Sequence, residues 1–171
     1  YDYLREMSKG ISGIIKYGTE INDHIIGQAF RNDPFLQVEI TQGLDDKIIS
    51  THLVGEYNLP NVLAAVTVGK FFEVPESKIK SAIENYTPSN SRSQLVERGS
   101  NKIILDAYNA NPSSMQAAIE NLYAMKADRK VLILGDMFEL EGEAAKEHHN
   151  LGKLIREKGF KEIYLCGNLF R

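Results

Sequence analysis

The stretch KIILDAYNANPSSM, Lys102 to Met115, runs from a predicted strand through a polar turn into the start of a helix. Lys102–Leu105 is rich in isoleucine and leucine, which favours a strand. Pro112 suits the first position of a helix that Asn111 caps, and helical spacing of apolar residues continues to Met125. The stretch therefore predicts a strand followed by a helix, joined by a turn with many hydrogen-bonding side chains.

Strands and helices continue to alternate beyond this helix. Lys130–Leu134 (KVLIL) reads as a strand covered on both faces, Glu143–Lys158 as a helix and Glu162–Cys166 as a third strand. Strands that alternate with helices favour a parallel sheet with right-handed connections. The fold class predicted for this half is therefore α/β, with a Rossmann-like βαβαβ parallel layer.

The first half of the chain has a different pattern. Short β-rich runs separated by turn residues predict antiparallel strands at Ile11–Tyr17, His24–Phe30, Phe35–Ile40 and Lys47–Val54. A helix then begins near Asn58, and a shorter helix contains Ile79 and Ile83. Thr87–Ser91 has the composition of a linker, which predicts one domain over residues 1–88 and another over residues 89–171.

Composition excludes several classes of function. The formal net charge is −3 with acids and bases interspersed, so no basic patch suggests nucleic acid as a partner. The one cysteine rules out an internal disulfide and fits a reducing cytoplasm; Cys166 itself is expected to be buried. The sequence has no apolar run of about 18 residues, so membrane insertion is not expected. The chain begins with Tyr1 and ends after a predicted strand, which we interpret as a piece of a longer protein.

The polar turn is the first candidate site. Asp106, Tyr108 and Asn109 follow the carboxyl end of a predicted parallel strand, where open α/β sheets bind ligands. A carboxylate there can accept hydrogen bonds from ribose hydroxyls, and amides can bind a polar substrate. The alternative is ordinary turn chemistry, because Asn and Asp stabilise turns and caps without any ligand.

Other polar residues have two interpretations each. Asn58 and Asn61 lie three apart at a helix start and could bind adenine, or Asn58 could simply cap the helix. Arg92 could reach a phosphate or lie on the surface without a ligand. Asp136 follows a second predicted strand and, like Glu139, could serve a site or only interact favourably with a helix N-terminus. His148 lies on an apolar helix face, which favours a packed histidine over a metal ligand. No phosphate-binding loop of the type G-x-x-x-x-G-K-[ST] occurs in the sequence.

Together these motifs resemble a known family. The run DAYNANPSSM, followed by LILGDMFEL, is similar to the C-terminal domain of the Mur ligases that add D-alanyl-D-alanine to UDP-N-acetylmuramoyl-tripeptide. The upstream GEYNLPNVLAA resembles the end of the central ATPase domain of that family. The resemblance implies that residues 1–88 are the C-terminal part of the ATPase domain and residues 89–171 most of the ligase domain.

The resemblance also implies chemistry and roles. The family uses ATP and Mg²⁺ to form an acyl phosphate on the tripeptide, which the dipeptide amine then attacks in peptidoglycan precursor synthesis. Asn58 and Asn61 would contact the adenine side of ATP, Asp106 its ribose and Arg92, the expected catalytic residue, its phosphates. The phosphate-binding loop and the magnesium ligands would lie outside this sequence, so no metal ligand is assigned here and the chain alone is expected to be inactive.

Substrate contacts follow from the same resemblance. Tyr108, Asn109 and Asn111 would shape the dipeptide side of a cleft, and His148 matches a recurrent histidine for which we expect a structural role. Tyr57 departs from the family, which often has histidine there. Two alternatives remain: another amide ligase of the superfamily, of the folylpolyglutamate or cyanophycin type, or a non-catalytic binding module.

Overall fold

The computed structural model describes residues 2–21, 23–89 and 91–170, without the side chains of residues 2, 4 and 5. Its elements, in chain order, are α1 (Asp2–Met7), β1 (Tyr17–Gly18), β2 (Ile25–Asn32), β3 (Phe35–Gln42), β4 (Ile48–Val54), α2 (Leu59–Phe71), α3 (Glu76–Asn85), β5 (Gln94–Arg98), β6 (Asn101–Leu105), α4 (Pro112–Ala124), β7 (Val131–Gly135), α5 (Ala144–Lys158) and β8 (Glu162–Cys166). Single 3-10 turns precede α2 and α5.

The chain divides into two compact units. The first contains residues up to Arg31, Leu36–Thr51 and Asn58–Tyr86. The second contains Asn32–Phe35, His52–Tyr57 and the chain from Thr87 onward.

The strands of a sheet in the order β1-β2-β3-β4 lie mostly in the first unit. Leu36, Val38 and Ile40 are fully buried and alternate with more accessible residues along β3, which confirms the predicted period of two. The connections on either side of β3 are short, which makes this part of the sheet antiparallel. The strand predicted over Ile11–Tyr17 was wrong, because β1 contains only Tyr17–Gly18 and runs parallel to β2.

Helices α2 and α3 complete the first unit. The buried face of α2 consists of Leu59, Val62, Leu63, Val66 and Thr67. Gly69 allows α3 to approach closely, since a Cβ at this position would lie 2.8 Å from both Cγ1 and Cδ1 of Ile79. Polar contacts fix the other side of α3: Glu84 accepts a hydrogen bond from the Ser50 amide at 3.0 Å.

The second unit combines an antiparallel hairpin with a parallel pair of strands. β5 and β6 pair from Gln94↔Leu105 to Arg98↔Asn101, and β7 pairs with β8 in parallel. The alternation of strand and helix from β6 to β8 confirms the predicted α/β class. The sequence did not predict β5, and among the described strands β6 is hydrogen-bonded to β5 and not to the parallel pair.

Helices α4 and α5 pack against one face of β7. The core there contains Ile119, Leu132, Met137, Leu151 and Ile155. Ile133, which points the other way, is 72% exposed, and Cys166 at the end of β8 is also exposed. The predictions of a strand covered on both faces and of a buried Cys166 were therefore wrong for this chain. Within the described residues, no helix combines the length and apolar character needed to cross a membrane.

Candidate functional site

The chain entering β5 is held beside the chain leaving β6. The amide of Ala107 donates to the carbonyl of Ser91 at 2.8 Å, and the amide of Ser93 donates to Asp106 Oδ1 at 3.2 Å. Ser91 and Ser93 have left-handed backbone angles, with φ of 57° and 49°. Such angles are unfavourable for residues other than glycine, so the surrounding hydrogen bonds must maintain this kinked path.

The kink brings Arg92 onto Tyr108. The central guanidinium carbon of Arg92 lies 3.7 Å from the centre of the Tyr108 ring, which is van der Waals contact and a cation–π interaction. The positive charge of Arg92 also acts on the carboxyl group of Asp106. Three of the predicted site residues are therefore neighbours: Arg92, Asp106 and Tyr108.

The Asp106 carboxylate balances opposing effects. Its partial removal from water raises the pKa of the carboxyl, and the Ser93 amide and the Arg92 charge act in the opposite direction; the net pKa is above its ordinary value. One carboxylate oxygen accepts from the Ser93 amide. The other oxygen can accept hydrogen bonds from the hydroxyls of a ligand.

Tyr57 supports this cluster through Ser93. The Tyr57 hydroxyl lies 2.7 Å from Ser93 Oγ, and Ser93 is only 5% exposed. Burial raises the pKa of the Tyr57 hydroxyl; the hydrogen bond to Ser93 lowers it and the negative charge of Asp106 raises it further. Sequence reasoning missed Ser93, because nothing in its neighbourhood distinguishes it from the serines of the preceding linker.

The two remaining asparagines of the turn have different surroundings. Asn111 caps α4: its Oδ1 accepts from the Ser114 amide at 2.9 Å and from the Ser113 hydroxyl at 2.8 Å, which confirms the predicted cap. A ligand could therefore use mainly the NH₂ group of Asn111. Asn109 is exposed, and the described part of the chain provides no hydrogen-bond partner for its side chain.

Asn58 and Asn61 form a pair in the first unit. Asn61 Nδ2 donates to Asn58 Oδ1 at 3.1 Å, as expected for side chains on the same side of a helix start. Asn58 is 8% exposed, and its side chain makes no capping hydrogen bond. Asn58 thus occupies the predicted N-cap position of α2, but without the side-chain hydrogen bond that capping would provide.

A second polar cluster joins the loops after β7 and β8. Asp136 accepts from the amide of Asn168 at 2.7 Å and from the amide of Leu169 at 3.2 Å. Gly167, with φ of +122°, passes so close to Asp136 that a Cβ there would overlap the carboxylate. These contacts fix the loop that follows β7 against the end of the chain.

His148, on α5, hydrogen-bonds the same loop. It is 1% exposed, and its Nε2 accepts a hydrogen bond from the Met137 amide at 2.9 Å. Since Nε2 is an acceptor, Nδ1 carries the proton and donates to the Ala144 carbonyl at 2.7 Å. This confirms a packed, hydrogen-bonded histidine. The described residues contain no group of three or more His, Cys, Asp or Glu side chains that could hold a metal ion.

Several known proteins resemble this chain in sequence and in fold. Residues 91–171 match the sequence profile of the family described as Mur ligase, glutamate ligase domain. UDP-N-acetylmuramoyl-tripeptide–D-alanyl-D-alanine ligase of Treponema pallidum is 34% identical over 122 residues, which are 71% of this chain and 26% of that protein.

Solved structures match nearly the whole chain. Crystal structure I of MurF from Acinetobacter baumannii has a TM-score of 0.87 and 24% identity, covering 98% of this chain and 37% of that one. MurF ligase from Thermotoga maritima, solved in complex with ADP, has a TM-score of 0.74 and 19% identity, covering 97% of this chain and 42% of that one.

The chain thus spans about a quarter of that curated relative and under half of either structure. Its similarity to them nevertheless extends through both units, from the strands and helices of the first to the α/β layer of the second. Residues 91–171 belong to the Mur ligase family, as its glutamate ligase domain, and the fold of nearly the whole chain matches the structures of Mur ligases.

Proposed function

We propose that the complete gene product is an ATP-dependent amide ligase that adds D-alanyl-D-alanine to UDP-N-acetylmuramoyl-tripeptide in peptidoglycan precursor synthesis. The observation that carries the proposal is the Arg92–Asp106 cluster, which offers a cation and a carboxylate side by side. A nucleotide presents the complementary groups, phosphates and ribose hydroxyls. The tripeptide and dipeptide come from the name of the Treponema pallidum relative.

Arg92 and Asp106 have separate roles in this proposal. Arg92 is the catalytic residue: its exposed guanidinium has five N–H donors and binds the phosphates of ATP as charge shifts between them. Asp106 accepts hydrogen bonds from the ribose with the carboxylate oxygen that Ser93 does not use. The ADP in the structure of the Thermotoga maritima relative supports a nucleotide as the ligand.

The reaction needs positioning more than a protein nucleophile. The terminal carboxylate of the tripeptide attacks the γ-phosphorus of ATP, and ADP leaves. The amine of the dipeptide then attacks the carbonyl of the acyl phosphate and loses a proton, an amide bond forms, and inorganic phosphate leaves. Residues that orient these groups and neutralise their charge lower the barrier to both steps.

The other predicted residues would complete the binding of both substrates. Asn58 and Asn61 would face the adenine, where the NH₂ proton of Asn61 not given to Asn58 is available. Tyr108, Asn109 and the NH₂ group of Asn111 would contribute to the dipeptide side. The magnesium that we expect the reaction to require would be bound by residues outside this sequence.

We also propose a domain boundary near residue 88 and a location in the cytoplasm. A compact unit ends at Tyr86 and the family profile starts at residue 91, which supports the boundary. The cytoplasm supplies ATP, and a single cysteine fits a reducing compartment. No feature of the charge distribution suggests nucleic acid as a partner.

The direct test is phosphate release from ATP by the complete gene product. It is measured with UDP-N-acetylmuramoyl-tripeptide, with and without D-alanyl-D-alanine. Release that needs both substrates is the expected result. Release with glutamate or aspartate in place of the dipeptide would indicate another amide ligase of the superfamily, and no release with any amine would indicate a binding module.

Asp106→Asn separates the nucleotide site from the fold. The amide keeps an acceptor for the Ser93 amide but removes the charge, so ATP should bind more weakly by about 1.5–3 kcal/mol, or about 10- to 150-fold in KM. Stability at neutral pH should not fall, because burial already disfavours the charged carboxylate. Asp128→Asn, at an exposed position, is the matched control and should leave KM unchanged. Equal KM values for both variants would contradict the ribose role.

A further inference from the structure

One face of the Tyr108 ring is covered by the guanidinium of Arg92. The guanidinium carbon lies 3.7 Å from the ring centre, although the side chains of both residues are otherwise exposed and Tyr108 as a whole is 63% accessible. A cation–π contact uses the charge and the face of the guanidinium. Its N–H donors therefore remain available to a ligand.

The backbone holds both partners of this contact. Arg92 lies between two left-handed serines, and the Ser93 and Ala107 hydrogen bonds join its segment to the residues just before Tyr108. The position of the Arg92 backbone is thus fixed, but its long side chain still has about 2 kcal/mol of rotamer entropy to lose on binding. The ring of Tyr108 restricts that freedom before the ligand arrives.

We propose that Tyr108 is a positioning residue for Arg92 and acts on the nucleotide step. Its ring holds the guanidinium beside Asp106, with the N–H donors ready for the phosphates of ATP. This inference rests on the proposed function, but it changes the role of Tyr108 within it: the ring serves the phosphate side, and the dipeptide is left to Asn109 and Asn111.

The test is a double-mutant cycle in the complete gene product, using Tyr108→Leu, Arg92→Ala and the double variant. Loss of the ring should lower kcat/KM for ATP by about 2- to 30-fold, which corresponds to the usual range of a cation–π contact. KM for D-alanyl-D-alanine should stay within about twofold of wild type. In the Arg92→Ala background, Tyr108→Leu should cause no further loss, because the residue that it positions is already absent.

Two more variants separate the ring from other effects. Tyr108→Phe keeps the ring and should restore most of the kcat/KM for ATP that Tyr108→Leu loses. Tyr86→Leu, at a tyrosine that is 53% exposed at the end of α3, is the matched control and should leave both KM values unchanged. Thermal unfolding of each variant checks that the losses do not come from unfolding.

Several results would overturn the inference. Equal losses from Tyr108→Leu with and without Arg92 would show that the two residues act independently. A raised KM for the dipeptide in both Tyr108 variants would show that the hydroxyl binds that substrate directly. If wild type releases phosphate only with both substrates and the cycle shows no coupling, the inference alone fails; if wild type releases none, the proposed function fails and the inference with it.

Discussion

Replacing His148 tests whether one hydrogen bond holds the loop after β7. His148→Leu fills a similar volume but has no acceptor, so the buried Met137 amide loses its partner at Nε2. An unpaired buried donor costs about 1–3 kcal/mol. The bond from Nδ1 matters less, because the Ala144 carbonyl, at the first residue of α5, also accepts within the helix. The expected loss of unfolding free energy is therefore about 1–3 kcal/mol.

His148→Gln is the matched variant. The Gln side chain places an amide oxygen near the position of Nε2 and can still accept from the Met137 amide. This variant should be more stable than His148→Leu by most of the cost of the unpaired amide. Both variants lose the edge contact between the His148 and Phe170 rings, whose centres are 4.6 Å apart, so that loss does not distinguish them.

Two measurements read the effect. Urea unfolding of the complete gene product gives the overall change, and amide hydrogen exchange at Met137 localises it, because a protein with two compact units need not unfold in one step. Exchange at Met137 should be fast in the Leu variant and slow in the Gln variant. If the Leu variant keeps a protected amide and wild-type stability, the hydrogen bond is not what holds the loop; equal losses in both variants would assign the stability to ring packing.

Two further comparisons test packing and charge. Gly69→Ala and Gly152→Ala should each gain about 1 kcal/mol of helix propensity. Only Gly69→Ala places a Cβ against Ile79, and this crowding should cost about 1–3 kcal/mol. Hydrogen exchange in the helix that carries each substitution should therefore show a change in stability that is about 1–3 kcal/mol less favourable for Gly69→Ala than for Gly152→Ala. Arg129 donates a hydrogen bond to Glu162 and lowers the pKa of that carboxyl in the folded protein. The ionised carboxylate therefore stabilises the fold at pH values above the pKa of the unfolded chain, and this stability is lost as pH falls through the pKa of the folded protein. Arg129→Gln should therefore lower the melting temperature slightly at neutral pH and low salt, with the difference vanishing in acid and in high salt.

Periodicity predicted the elements that bury one face. Leu36, Val38 and Ile40 alternate in the sequence and are all fully buried in β3, because a strand that covers a core must place every second side chain inward. The start of α4 followed from Asn111 and Pro112, whose capping and φ preferences act locally. Local signals of this kind are written in consecutive residues and can be read without a partner.

Elements that depend on a partner were missed. β5, with the sequence QLVER, is short and of mixed polarity, and only its pairing with β6 makes it a strand. Ile11–Tyr17 looked like a strand, but Gly10 and Gly13 have φ of 86° and 81°, and only Tyr17–Gly18 forms a strand, which pairs with β2. The exposed Ile133 shows the same limit, since an apolar residue does not specify how many faces of its strand a given chain covers.

The polar turn LDAYNANPSSM shows how the candidate site differs from its sequence. These side chains are equally polar in the sequence, but in the fold some of their groups are already used in contacts within the protein and others are not. The side-chain oxygen of Asn111 accepts a hydrogen bond at the start of α4, one oxygen of Asp106 accepts from the Ser93 amide, and one face of the Tyr108 ring contacts Arg92. The groups left over are one carboxylate oxygen, the guanidinium donors and the amide of Asn109.

These leftover groups are what a ligand can use, because a donor or acceptor already bonded inside the protein must break that bond before it binds anything else. They are a cation, an anion and a neutral amide, and they match the phosphates, ribose hydroxyls and peptide groups of the proposed substrates. The amide of Ser93, a residue that the sequence did not mark, holds Asp106, and Arg92 directly precedes Ser93 in the chain. A change at Ser93 should therefore weaken nucleotide binding without touching the nucleotide, whereas a change at Asn109 should act only through the substrate that it contacts.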